Sequence, residues 1–200
     1  MWSFNRFRDA KSIHVEEIRW DGPYSWPGYE PSGAITELPD LEGVYLWVFQ
    51  YQDGFVVYAA GITNSTKNRF RRHTREYKKG NYTVLDVRLA ANGERQEIWH
   101  GWKYAKSHQE EFMMREEEIL KAVESQLGSF RVFVAPISDQ RKRERMEAAI
   151  MQHLYCSQET WSDLADRGML LNDRYNAEMP ILIENKCDFN IYGLPKKLEI

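Results

Sequence analysis

Arg69 and His73 stand four residues apart in "NSTKNRFRRHTREYKK", the spacing that puts two side chains on one face of a helix. A guanidinium there can hold an anionic oxygen through paired hydrogen bonds, and an imidazole beside it can give or take a proton. The plain alternative is a solvated basic helix carrying a surface histidine. Glu147 stands in "RERMEAAIMQHL" between Met146 and Ile150. That puts it near the buried boundary of its helix, where an unpartnered carboxylate is costly. Its partner is either Arg143, one turn earlier, or a hard divalent cation. Tyr45 and Tyr58 lie in two β-like runs and bring phenols, although strand tyrosines ordinarily pack. His153 and Cys156 form a lone HxxC with no second pair at zinc spacing, so His153 reads as a core residue. Walker, GxSxG and GxGxxG patterns are absent.

These groups need elements to position them. Residues 43–51 and 55–62 read as strands, with Asp53-Gly54 as the hairpin turn between them. Asn64 or Ser65 can cap a helix over 66–79, which Gly80 stops; its inward stripe is Phe70, Thr74 and Tyr77. "YTVLDVRLA" and "RQEIWHGW" suggest a second hairpin around Asn92-Gly93. Ser107 with Glu110 forms a capping box for a helix running to Leu127, ended by Gly128. "FRVFVAPI" is a strand, and Ser138 caps a helix to Tyr155 with Met146, Ala149, Ile150, His153 and Leu154 inward. "LLNDRYN" reads as a turn and "PILIEN" as a short extended segment. The Pro-, Gly- and aromatic-rich residues 20–33 read as an ordered loop laying rings on the body. Local hairpins make the sheet largely antiparallel and the class α+β.

A chain of 200 residues, 42% of them hydrophobic, can bury a substantial core. The first residues lack the apolar stretch of a secretory signal, and no run reaches the ~20 apolar residues of a membrane span. Two cysteines do not make a disulfide scaffold. A cytoplasmic protein with no membrane partner is expected. The formal net charge is −3, which argues mildly against nucleic acid, but the charge is segregated. Lys67, Arg69, Arg71, Arg72, Arg75, Lys78 and Lys79 are opposed only by Glu76, and Arg141 and Arg143 belong to a second cluster, "QRKRER". Local basic clusters of this kind are an electrostatic footprint for a polyanion.

In combination these residues resemble the GIY-YIG nuclease family. Gly43-Val44-Tyr45 is similar to the first motif, with Val for Ile. Gly61 is similar to the glycine of the second, with Thr63 two residues on, Arg69 eight residues on and His73 four beyond that. "EAAIM" from Glu147 is similar to the helix segment carrying the family's metal-binding glutamate, and Asn172, with Asn176 second, is the candidate for its asparagine. The resemblance is strongest over 43–73 and 145–176. It departs at the second motif, where Ala59 occupies the place of the tyrosine and Tyr58 stands one residue earlier. Either a bulge returns Tyr58 to the site or the second tyrosine is absent.

The resemblance implies a small, mostly antiparallel sheet flanked by helices. It implies a single catalytic domain over 41–200 with an insertion at about 81–128, preceded by an extension over 1–40 packed on the body. It implies a metal-dependent endonuclease acting on double-stranded DNA, with Mg2+ or Mn2+ on Glu147. Tyr45, Tyr58, Arg69, His73, Glu147 and Asn172 would be catalytic, and Lys67, Arg71, Arg72, Arg75, Lys78, Lys79, Arg141 and Arg143 would contact nucleic acid. The alternatives are an inactive nucleic-acid-binding module on the same fold and a protein-interaction domain.

Overall fold

A computed structural model describes residues 14–30 and 33–200; the expectations for 1–13, 31 and 32 lie outside the described residues. The chain enters through β1 (His14–Arg19) and β2 (Asp21–Ser25), which join different sheets. The Asp53-Gly54 signal is realised as a hairpin of β3 (Gly43–Tyr51) and β4 (Gly54–Thr63). Its ladder pairs Tyr45 with Gly61 and Trp47 with Ala59, then slips so that Val48 faces Val57, leaving Tyr58 as the extra residue of a bulge.

Helix α1 (Thr66–Lys78) follows, with the Ser65 hydroxyl accepting from the Asn68 amide at 3.3 Å. Gly80 ends the segment at φ +71°, a conformation that favours glycine. Phe70, His73 and Tyr77 are its buried large side chains, so the inward stripe includes the histidine and leaves Thr74 half-exposed. The rest comprises β5 (Val84–Leu85), α2 (Val87–Ala90), β6 (Glu97–Trp99), α3 (Trp102–Ser107), α4 (Gln109–Met114), α5 (Glu116–Ser129), β7 (Arg131–Pro136), α6 (Gln140–Cys156), a 3-10 turn (Thr160–Leu164), β8 (Ile181–Lys186), β9 (Ile191–Tyr192) and β10 (Lys197–Glu199).

The protein is α+β. Its main sheet has the order β2-β7-β3-β4-β9, antiparallel across its first four strands and parallel at β4–β9. A second sheet, β1-β8-β10, pairs β1 parallel to β8. The sheets are therefore mixed, because the C-terminal strands return beside elements far back in the chain. Trp26, from the loop after β2, centres an aromatic core with Phe70 at 4.7 Å, Trp47 at 5.1 Å and Phe130 at 5.7 Å between centroids. Its indole N–H donates to Thr74 at 2.8 Å. Among the described residues no helix is long and apolar enough to cross a membrane, and both cysteines are free.

Several local expectations are corrected. The second hairpin shrinks to β5–β6, because the Asp86 carboxylate accepts from the amides of Arg88 and Leu89 and starts a helical turn where a strand was expected. The long helix from Ser107 divides into α4 and α5, and the capping box does not form: the Ser107 hydroxyl turns back to the carbonyls of Lys103 and Tyr104. Asp139, not Ser138, caps α6. His153 is exposed, since the inner face of α6 runs through Met146, Ile150, Met151 and Leu154. Residues 21–25 form a sheet edge and not a loop.

Candidate active site

Tyr45 points inward from the middle of β3, opposite Gly61. The pairing needs glycine: a Cβ at position 61 would lie 2.3 Å from the Tyr45 ring and hydroxyl. The phenol thus lies across bare backbone and meets α1. There Arg69 Nε donates to the Tyr45 hydroxyl at 3.1 Å, and that hydroxyl is 2.9 Å from His73 Nε2. The other imidazole nitrogen, Nδ1, is 3.1 Å from the hydroxyl of Tyr82. Arginine can only donate. Tyr45 therefore accepts from it and has its own proton to give to Nε2, which leaves the His73 proton on Nδ1, toward Tyr82. Among the described residues the two terminal nitrogens of Arg69 make no hydrogen bond or ion pair.

Burial sets the protonation states. His73, 4% exposed, is held well below its ordinary value by desolvation and then by Arg69 and Arg72, so the imidazole is neutral at pH 7. Tyr45 is pushed up to about 12 by burial, against the pull of Arg69. Glu147, 8% exposed on α6, rises to about 7, first by desolvation; Arg69 lowers it and Glu144 raises it. Tyr45 in turn senses the Glu147 charge. The structure therefore joins Tyr45, Arg69 and His73 in one hydrogen-bonded group, and the Glu147 charge acts on both Tyr45 and Arg69.

The expected Arg143–Glu147 pair does not form: Arg143 turns to Glu42, Asn64 and the Ile137 carbonyl. Glu147 has no hydrogen bond or ion pair among the described residues. Asn172 and Asn176 are both exposed; the Asn172 amide is 3.4 Å from Glu144, one turn before Glu147. No three His, Cys, Asp or Glu groups gather among the described residues. A lone, desolvated carboxylate matches a largely hydrated Mg2+, which takes one or two carboxylates and keeps its waters. Glu147 fits that role.

The bulge resolves the position of Tyr58. It turns the ring to the face that carries Tyr45, yet Trp47 lies between them, stacked at 5.8 Å on Tyr45 and 6.5 Å on Tyr58. Tyr58 is 1% exposed. It shares a hydrogen bond with Tyr77, and burial holds it well above its ordinary value. Its expected catalytic place is thus corrected to a packed position one ring behind the site.

Three residues that the sequence did not mark line the same small cavity of about 70 Å³: Tyr82, Trp102 and Asp166. Asp166 is 6% exposed, accepts from the Trp102 indole at 3.3 Å, and rises to about 6 through desolvation. Only the "IWHGW" aromatics gave any linear hint of this wall.

The basic residues divide. Lys67, Arg71, Arg72, Arg75, Lys78 and Lys79 are exposed along α1 and its end. Arg141 and Arg143 are corrected from outward contacts to internal ties. Arg141 is engaged by Glu178 and Glu144 and by the carbonyls of Asn172 and Asp173, and Arg143 is 3% exposed. Comparison with family models, curated proteins and solved structures gave no match.

Proposed function

We propose that the chain is a GIY-YIG-type, metal-dependent endonuclease that hydrolyses phosphodiester bonds in DNA. One observation carries the reading: a guanidinium with free terminal nitrogens is wired through a phenol to a neutral imidazole, beside a buried carboxylate that has no partner. In this reading the terminal nitrogens of Arg69 hold a non-bridging oxygen and stabilise charge as it develops on phosphorus. The Tyr45 oxygen accepts a proton from the attacking water while its own proton passes to His73 Nε2. The new O–P bond forms as the bond to the leaving sugar oxygen breaks, and that oxygen is protonated from solvent. A phenol with a pKa near 12 is scarcely ionised at neutral pH, so the neutral imidazole behind it supplies the proton sink. Glu147 would hold Mg2+ or Mn2+, which when bound supplies positive charge at the leaving oxygen and phosphorus. Asn172 would orient the substrate or the Glu144 side of the site.

The test is supercoiled plasmid with Mg2+ or Mn2+. Cleavage is expected from the wild type and lost by 100-fold or more, roughly, in Arg69→Ala and Glu147→Ala, with far-ultraviolet circular dichroism unchanged. Absence of cleavage under every metal overturns the reading. An inactive nucleic-acid-binding module is the second reading, favoured by Ala59 at the motif position and by Trp47 screening Tyr58 from Tyr45. It predicts salt-sensitive binding, indifferent to chelator, without cleavage.

A further inference from the structure

A groove of about 610 Å³ opens from the other side of Tyr82. Three segments distant in sequence form it: Arg72 on α1, Trp102, Lys103 and Lys106 on α3, and Arg167 after the 3-10 turn. We propose that this groove binds an unpaired strand of nucleic acid, its phosphates along Arg72, Lys103 and Lys106 and a base against Trp102 and Tyr82. The proposal rests on the nuclease reading and adds the kind of strand that lies beside the cut.

Arg72, Lys103 and Lys106 are exposed and, among the described residues, none makes a side-chain hydrogen bond or ion pair. The neighbouring charges are already engaged. Glu76 accepts from the Asn81 amide at 2.7 Å, His100 pairs with Glu97 at 2.6 Å, and Arg167 contacts Asp163 at 3.4 Å and lies over the Tyr155 ring at 5.9 Å from its centroid. Free cations from two segments far apart in sequence, α1 and α3, thus converge on one concavity.

The aromatic wall is built with care. Trp102 and Tyr82 lie 5.2 Å apart between ring centroids, and both are partly exposed. Trp102 holds φ +58°, an unfavourable conformation for a bulky residue. Two bonds fix it there: its amide donates to the Asn81 carbonyl at 2.8 Å and its indole to Asp166. Cations that track phosphates, combined with rings that can stack a base, are the elements of single-strand binding. A stacked duplex offers such rings no base face. The Tyr82 hydroxyl meets His73, so a strand in the groove continues directly toward Arg69.

The experiment is fluorescence anisotropy in chelator. It compares a labelled 15-mer of dT with a 15-bp duplex, for the wild type and for the exposed double variant Lys103→Ala/Lys106→Ala. The variant is expected to bind dT about tenfold more weakly at 0.1 M salt, its salt slope smaller by about 1.4, with a lesser change on duplex. Trp102→Leu, checked for folding by thermal melt, is expected to weaken dT binding while leaving the salt slope unchanged. Equal dT affinity and slope in wild type and double variant overturn the proposal, as does an equal loss on duplex or a wild type that binds no dT. Plasmid cleavage is scored in parallel. Cleavage with unaltered dT binding removes the groove alone; dT binding that depends on the lysines, without cleavage, removes the nuclease reading alone.

Discussion

Glu147 is the residue with most to lose from neutral pH. Its folded value of about 7 lies above the ordinary 4.5, so the folded state retains a proton that the unfolded state releases. The contribution to stability is complete below about 4.5 and is lost as pH rises toward 7. Glu147→Gln is therefore expected to stabilise the protein by about 2 kcal/mol at pH 8 in chelator, with the advantage gone near pH 4.5; urea unfolding at both pH values measures it. His73 has the opposite sign: its depressed value costs stability as pH falls below the ordinary 6.5. The two phenols are also separable. Tyr45→Phe is expected to slow plasmid cleavage about 100-fold, whereas Tyr58→Phe, which loses its bond to Tyr77, costs about 1 kcal/mol of stability and leaves the rate nearly intact. Spacing along one helix made Arg69 and His73 readable as a pair. Asp166 was not readable, because nothing in linear order ties it to Trp102 or to the imidazole; only the return of the chain past the 3-10 turn does so.

At the scale of elements, the β3–β4 hairpin and α1 act as one instrument, and Gly61 is where they are fitted together. Gly61→Ala puts a methyl carbon into the Tyr45 ring. Expected is a loss of about 1–3 kcal/mol from overpacking, with cleavage reduced even where the fold survives, as read by thermal melt and plasmid assay together. A variant as stable and active as wild type would show that the ring has room to move. The hairpin and the Ser65 cap are local chemistry and were legible. The Asp86 cap competed with a β-branched run for the same residues, and pattern alone favoured the run. Likewise Ser107 had two acceptors behind it and one donor ahead, and the hydroxyl turned back.

Over the whole molecule, α6 joins the two sheets. Its outer register carries Arg145, 7% exposed, whose Nη2 donates to the carbonyls of Met179 at 2.7 Å and Ile200 at 2.6 Å. Arg145→Met removes both charged bonds and leaves the Met179 carbonyl without its donor, while the Ile200 carbonyl keeps the Ile181 amide at 2.9 Å. A loss of about 2–3 kcal/mol is expected, together with faster proteolysis after residue 165; unchanged protease kinetics would show that the C-terminal strands hold without the helix. None of this was visible in sequence, where β1 and β8 are separate runs with no local signal for parallel pairing. The segment before residue 41 was expected to rest on the body. Of its described residues, β1 joins β8, β2 joins β7 and Trp26 enters the core.

The extra residue at Tyr58 fixes how this chain can change length. On either side of it β4 keeps opposite parity relative to β3. Deleting that one residue would close the ladder and leave the pairings on both sides of it in place. Adding or deleting one elsewhere between Val57 and Gly61, with the bulge kept, would exchange inside for outside over the remainder of the strand and bring a side chain beneath Tyr45. Relatives of this protein should accordingly differ there by loss of the bulged residue or by even steps.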